Sequence, residues 1–295
     1  MGWAALDAAR RGAAAARARV PLLVGGCRVG SVAAAHLAVL AAWPRHLRVE
    51  AGRVVLIAPA EGRDAALAEI NAELRAQGLV RGWREETVAV VDPDAAPGAA
   101  VPLARMERAA ARFWGTLTLG AHANGYIADT TGRPTHLWVA QRAATKATDP
   151  GLHDNLVGGG VPAGQTPWQA LQREGWEEAG LGPAWMQAAR PGRVIRLERA
   201  VPEGWQCEDL HAYDLALPAG LQPANQDGEV QSFACLPVAE ALALAAGPGM
   251  TVDAALVTLD FALRHALLPP AQAEALTPAL APGFRGPAVA DAQSP

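Results

Sequence analysis

Three cysteines in 295 residues, none in a CxxC pair, cannot build a disulfide framework or a zinc ribbon. They point to a reducing compartment, with the cytoplasm as the default. Positive charge is equally short. With 25 Lys and Arg against 29 Asp and Glu, the net charge is −4, so no cationic surplus exists to neutralise a nucleic-acid backbone. Long apolar runs are missing too. The longest, VGSVAAAHLAVLAAW at 29–43, is too short for a bilayer and carries His36, so no membrane partner is expected. Its Ala33, Leu37, Leu40 and Trp43 recur at helical spacing behind Ser31, which predicts an amphipathic core helix capped by that serine. The opening MGWAALDAARRGAAAARARV is rich in Arg and Ala, as some transit peptides are. It lacks an apolar h-region and reads as a plain N-terminal helix. No internal repeat is visible.

What is present is a globular composition, 51% hydrophobic and 18% charged, in a chain long enough for two cores. Residues 1–119 read as a small α+β domain without a catalytic cluster. Its strands are VPLLV, RVVLIA at 53–58 and ETVAVV at 86–91. Its helices are DAALAEINAELRAQG, with Leu67, Ile70 and Leu74 on one face and Gly78 as the stop, and a run through MERAAARFWG. A Pro/Ala/Gly loop spans 92–102. The texture changes near Gly120, and residues 120–270 form the second domain. It starts with a hairpin turning at TTG and continues with strands VIRLERAV, LHAYDLAL and EVQSFACL. A last helix, DAALVTLDFALRHALL, sets Ala255, Leu259 and Leu263 on one face. The Pro/Ala-rich tail, 271–295, is expected to be ordered only in part.

The informative stretch is GGGVPAGQTPWQALQREGWEEAGL, 158–181. Thr166 caps a helix, Pro167 opens it, Gln169 completes a capping box and Gly180 stops it. Inside, Glu174, Glu177 and Glu178 stand at i, i+3 and i+4, so each like-charge pair costs ~0.2–0.5 kcal/mol without a cation. A solvated acidic face is the ordinary meaning of such a run. Three carboxylates beside a glycine turn, however, suit Mg²⁺ (or Mn²⁺), a hard ion that shares its shell with substrate phosphates. Arg173, four residues before Glu177, can hold that carboxylate. Gly159 and Gly160 let backbone approach a ligand, and Arg142 and Lys146 can grip a diphosphate by charge-assisted bonds. Gly175, about 1 kcal/mol worse than Ala in a helix, is expected to let the helix sit close against a sheet.

Gly159, five residues, Gln165, seven residues, then Arg173-Glu174-Gly175-Trp176-Glu177-Glu178-Ala179-Gly180-Leu181 resembles the Nudix box. The resemblance implies an α/β fold, a Nudix α/β/α sandwich behind the small α+β domain. It also implies hydrolysis of a small-molecule diphosphate linked to a further group. Glu174, Glu177 and Glu178 would bind the divalent ions and Arg173 would orient them. A further carboxylate at the head of a strand is implied as well; Glu229 is the candidate, with Glu208 and Asp209 as rivals. Two positions depart from the motif: Gln165 replaces its first glutamate and Gly175 an aliphatic residue.

HLWVAQRAATKATDPGLHDNLVGGGVPAG, DLHAYDLALP, NQDGEVQSF and LDFALRH are similar to a subgroup with an N-terminal domain of unknown function, related to the Nudix domain associated with thiamine pyrophosphokinase. That likeness implies conversion of thiamine diphosphate, or its oxo and oxy forms, to the monophosphate. Two alternatives stand beside it: a non-catalytic binder on the same scaffold, and an enzyme for nucleotide sugars or dinucleotides. Among other residues, Trp138, Trp168 and Trp176 are read as core, His265 as a partner of Asp260, and Asp154 and Asn155 as a turn. His122, Asn124 and Tyr126 are placed towards the domain junction.

Overall fold

Alternating buried residues and a Gly25-Gly26 turn, with φ of 59° and 86°, make a hairpin of β1 (Arg19–Val24) and β2 (Cys27–Ala33). β3 (Leu47–Glu50) and β4 (Arg53–Leu56) complete a four-stranded sheet, ordered β2-β1-β4-β3, with β1 and β4 parallel. The structure is a computed structural model that describes residues 2–10, 16–50, 52–95 and 101–280. A helix over Arg63–Ala76 packs Leu67, Ile70 and Leu74 into one core with Leu22, Val54 and Leu56. A ribbon of β5 (Thr87–Val90) and β6 (Ala104–Glu107) joins that core, followed by helical turns at Arg108–Ala110 and Ala111–Trp114. Trp114 is fully buried and its indole N–H donates to Asn71 Oδ1 at 2.7 Å.

The helix expected at 31–43 is not formed. β2 runs through Ala33, because pairing with β1 buries Val29 and Val32 together, and only Ala34–His36 and Leu37–Leu40 are helical. Ser31 caps nothing; its hydroxyl accepts from Arg19 Nε at 2.9 Å. The run through MERAAARFWG begins as a strand for the same kind of reason, since Met106 pairs with Val88 and is buried.

β7 (Leu117–Ala128) organises the rest. It pairs in parallel with β12 (Gly204–Ala216) from Leu117 to Tyr126. Its other edge is shared: β10 (Val157–Gly160) takes 120–123 and β8 (Pro134–Arg142) takes 125–128. β11 (Arg190–Val201) and β13 (Val230–Pro237) flank the sheet, giving the order β11-β12-β7-β8-β13, with the short β9 (His153–Asp154) on β8. One face is covered by a helix over Pro167–Ala179, whose Ala170, Leu171 and Ala179 pack with Ala121, Ala123, Val157 and Leu215. The opposite face carries Val238–Ala246 and Val252–Arg264 on Leu137, Val139, Leu197 and Leu210. The result is an α/β/α sandwich behind a small α+β unit.

The first helix, Ala4–Arg10, crosses from one unit to the other: Trp3, Leu6 and Ala9 are buried in the core of Val252–Arg264. Polar pairs lock the same layer. His265 Nε2 lies 2.9 Å from Asp214, not on Asp260, which instead accepts from Arg264 Nε at 2.7 Å. Asn155 is no simple turn residue; its amide donates to Asn124 Oδ1 at 2.9 Å and Thr258 Oγ1 at 3.1 Å, tying β7 to the last large helix. Tyr126 packs on Phe261 and His265 rather than at a junction. The tail remains helical over Pro270–Leu276 and Thr277–Leu280, while 96–100 of the expected loop and 281–295 lie outside the described residues. Among the described residues, no helix is long and apolar enough to cross a membrane.

The docking of the first helix gives a test. Leu6→Ala should cost ~2–5 kcal/mol in urea unfolding and raise amide exchange across Val252–Arg264. A loss confined to the N-terminal sheet would contradict the packing.

Candidate active site

The Pro167–Ala179 helix is built as its spacing predicts. Thr166 Oγ1 accepts from Gln169 N at 3.2 Å, Gln169 Oε1 accepts from Thr166 N at 2.9 Å, and Gly180 closes the helix at φ 66°. What the spacing does not convey is direction. Ala170, Glu174 and Glu178 lie four apart in one row, beside Leu171, Gly175 and Ala179, and both rows are buried. Glu174 and Glu178 are 9% and 5% exposed, while Glu177 turns outwards. The three carboxylates therefore do not share one environment.

Arg173 clamps the outer pair, donating to Glu177 at 2.6 Å and to Glu174 at 2.8 Å. Glu178 accepts the backbone N–H of Gly158 at 2.8 Å. Burial pushes the Glu178 carboxyl well above its ordinary range, and neighbouring Glu174 pushes it the same way. Glu174 is also raised, first by burial, with Arg173 opposing and Glu177 reinforcing.

The triple glycine makes room for three different side chains. A Cβ at Gly158 would stand 2.7 Å from His122 Nδ1. At Gly159 it would overlap the Glu174 carboxylate, and at Gly160 the Arg108 guanidinium. Backbone thus lies directly on functional groups, which only glycine permits. Gly175 serves a similar end, but it opens space for Met186 of the Pro183–Met186 turn rather than for the sheet.

Apart from Glu178, Gly175 and Met186, which are not part of its wall, these groups border a cavity of about 390 Å³ between the two units. Arg142, Lys146, Gly159, Gly160, Arg173, Glu174, Glu177 and Glu229 all line it. Two of them are engaged with each other: Lys146 and Glu229 form an ion pair, and Glu229 is about half exposed. Arg142 is held by Asp154 at 2.8 Å and by Thr148 O at 3.0 Å. Glu208, weighed as a rival to Glu229, is half-buried on the cavity wall; burial and then Asp253 raise its pKa, and Arg108 opposes. Asp209 lies outside the cavity wall, paired with Arg196. Gln165 is exposed and not part of the wall. His122 lines it; Trp138 and Trp168 are packed in the core, and Trp176 is exposed.

Arg108 was not legible. It comes from the other unit, bonds Glu86 at 2.9 Å and rests on Gly160. Burial disfavours its charge, but Glu86, Glu208 and Glu174 outweigh that and raise its pKa. Nothing in its local sequence relates it to the glutamate helix; only the fold does.

Among the described residues, no three of His, Cys, Asp and Glu converge as a complete metal cage. The donor set nevertheless suits Mg²⁺ or Mn²⁺. Two buried carboxyls of raised pKa lie against glycine backbone, Glu174 on the cavity wall and Glu178 bonded to Gly158 of that wall, and such ions take one or two carboxylates, then water and phosphate oxygens. Glu174 and Glu178 would hold the ion, with Glu177 at the rim.

Residues 118–254 match the family described as NUDIX domain, and residues 4–118 match a domain of unknown function, DUF4743. Nudix hydrolase 20, chloroplastic, and Nudix hydrolase 24, chloroplastic, both of Arabidopsis thaliana, are each 34% identical over 211 residues, 71% of this chain. The chain spans little more than half of those relatives, 55% and 56% of their length. Among solved structures, the NUDIX domain of Shewanella oneidensis NrtR complexed with ADP ribose aligns with 52% of this chain and 90% of its own, at 15% identity and a TM-score of 0.40.

The buried carboxylates make a prediction about stability. Mn²⁺ or Mg²⁺ should raise the thermal midpoint of the wild type, because a ligand bound only by the folded state stabilises it. Glu178→Gln, which keeps the shape and the acceptor for Gly158, should be at least as stable without the ion and should lose most of the shift. An undiminished shift in this variant would remove Glu178 from the ion's ligands.

Proposed function

The chain carries a NUDIX domain behind a DUF4743 domain, and on that premise we propose that it is a divalent-cation-dependent hydrolase of small-molecule diphosphates. The observation that carries this reading is the pair Glu174 and Glu178, both buried and raised in pKa, with Glu174 on the wall of the cavity and Glu178 bonded to Gly158 of that wall. A structural helix gains nothing from burying two carboxyls four residues apart; a site for Mg²⁺ or Mn²⁺ does.

In this reading Glu174 and Glu178, deprotonated, hold the ion. Arg173 keeps Glu174 and Glu177 in place, and the Gly158 N–H fixes Glu178. When bound, the ion offsets charge on the diphosphate and acidifies water. Glu208, half-buried on the cavity wall with a raised pKa and hydrogen-bonded by Gln206 at 2.8 Å, accepts a proton from the attacking water in this reading. Arg142 and Lys146 border the path of the phosphates, and Gly159 and Gly160 let them come close to backbone.

The finer reading, thiamine diphosphate or its oxo and oxy forms as substrate, rests on the likeness of the stretches around the box. The cavity supports its charged tail better than its two rings. Among the described residues Trp205 is the one tryptophan on the wall, and no Tyr or Phe joins it. A substrate with much negative charge and a single flat ring, such as a nucleoside diphosphate linked to another group, suits that lining. The free thiols Cys27, Cys207 and Cys235 suit a reducing compartment, cytoplasm and plastid stroma alike; the two plant relatives are named chloroplastic.

ADP-ribose, dinucleotides, nucleotide sugars and the thiamine diphosphates, each assayed with Mg²⁺ and Mn²⁺ and with products weighed by mass spectrometry, test the reading. At least one should be cleaved in the diphosphate, with EDTA abolishing the reaction. Glu174→Gln and Glu178→Gln should each slow it by about 100-fold or more. Turnover that survives EDTA, or near-normal rates in both variants, would contradict it. A thiamine compound outpaced by all others removes the finer reading alone.

A further inference from the structure

The glutamate helix belongs to the NUDIX domain, yet the cavity before it is closed by the other domain. The loop after Arg63–Ala76 contributes Arg81 and Arg84 to the wall, and the helical turns after β6 contribute Arg108 and Arg112. Most cations of the cavity already have an acid. Arg108 has Glu86 at 2.9 Å, Arg112 has Glu203 at 3.3 Å, Arg142 has Asp154 at 2.8 Å, and Lys146 has Glu229. Arg81 and Arg84 are different. Among the described residues neither has an acidic partner: Arg81 Nε donates to Gly78 O at 3.1 Å, and Arg84 Nη2 donates to Thr148 Oγ1 at 3.2 Å.

Arg84 is also held where its charge is unwelcome. Partial burial lowers its pKa and Arg108 and Arg112 lower it further, with Glu86 and Glu229 opposing in part. The backbone sustains the arrangement at a cost. Glu85 adopts φ of 59° and Asp149, in the loop that Thr148 belongs to, φ of 49°; left-handed conformations of non-glycine residues cost of order 1–3 kcal/mol each. Two strained loops from two domains therefore meet over the cavity, and among the described residues the guanidiniums of Arg81 and Arg84 make no direct ion pair. The acidic helix side repels a diphosphate until a cation is present, so this loop is the part of the cavity that attracts an anion first.

We propose that Arg81 and Arg84, backed by Arg112, are a phosphate-binding subsite that the N-terminal domain supplies to the NUDIX cavity, gripping the substrate's diphosphate from the side opposite the glutamate helix. The proposal rests on the hydrolase reading for the identity of the substrate, but not for the binding of an anion. The planar guanidinium fork matches two phosphate oxygens at once, which a lysine cannot do.

Calorimetric titration of the full chain with inorganic pyrophosphate, in EDTA and at low ionic strength, tests it. The wild type should bind, Arg84→Gln and Arg81→Gln should each weaken binding about tenfold, and Arg84→Lys should restore part of the loss. Thermal midpoints close to that of the wild type would show that the arginine variants are folded. Absence of pyrophosphate binding by the wild type, or wild-type affinity in both glutamine variants, would overturn the subsite. If a diphosphate substrate is hydrolysed, Arg84→Gln should raise its KM; an unchanged KM overturns the subsite and leaves the hydrolase reading intact. Pyrophosphate binding that depends on Arg84, in a protein that cleaves no diphosphate, overturns the hydrolase reading alone.

Discussion

Two carboxylates buried four residues apart on one helix, against a strand of three glycines, are the constraint around which the second domain is arranged. Each is expensive on its own, since burial disfavours the charged form and a like charge adds to it, Glu177 at Glu174 and Glu174 at Glu178. The fold sustains them with few direct bonds: Arg173 at the rim and one backbone N–H at Glu178. The balance is left for something that is not protein. A site that is electrostatically incomplete alone, and open to a cavity, is what cation-assisted phosphate chemistry requires.

The sheet explains how helix and strand can meet so closely. β7 exchanges one partner for another along a single edge, β10 over 120–123 and β8 from 125 onwards. At that change of partner the glycines of β10 pair with Gly120, Ala121 and His122, and their missing side chains are replaced by His122, Glu174 and Arg108. Beneath, Asn124, Asn155 and Thr258 bond one another, so the strand carrying His122 is anchored to Val252–Arg264 by polar contacts as well as by packing. The first helix packs in that same layer, against Val252–Arg264 and β11. The N-terminal domain therefore holds the second domain at two places, its back through Leu6 and its cavity through Arg108.

Local signals were legible where local physics decides. The Thr166 capping box, the Gly180 stop, the hairpin around Gly132 and the strand after Glu229 follow from capping, positive φ and alternation. The 31–43 stretch misled because Val29 and Val32 suit a strand as well as Leu37 and Leu40 suit a helix, and pairing with β1 decided for the strand. The glutamates were found by spacing, but their division into two buried and one outer needed the sheet beneath them. Arg108 and the choice between Glu208 and Glu229 depend on how two domains face each other, and no window of sequence contains that. Lys146 and Glu229 show the same limit, since residues 83 positions apart neutralise each other.

A crystal soaked in Mn²⁺ and measured at the manganese absorption edge tests the central claim most directly. An anomalous peak bonded to both Glu174 and Glu178, and absent from Glu178→Gln crystals, is the predicted result. Manganese bound only at the rim, on Glu229 or Asp227, with Glu178 still bonded to the Gly158 N–H and free of metal, would contradict it.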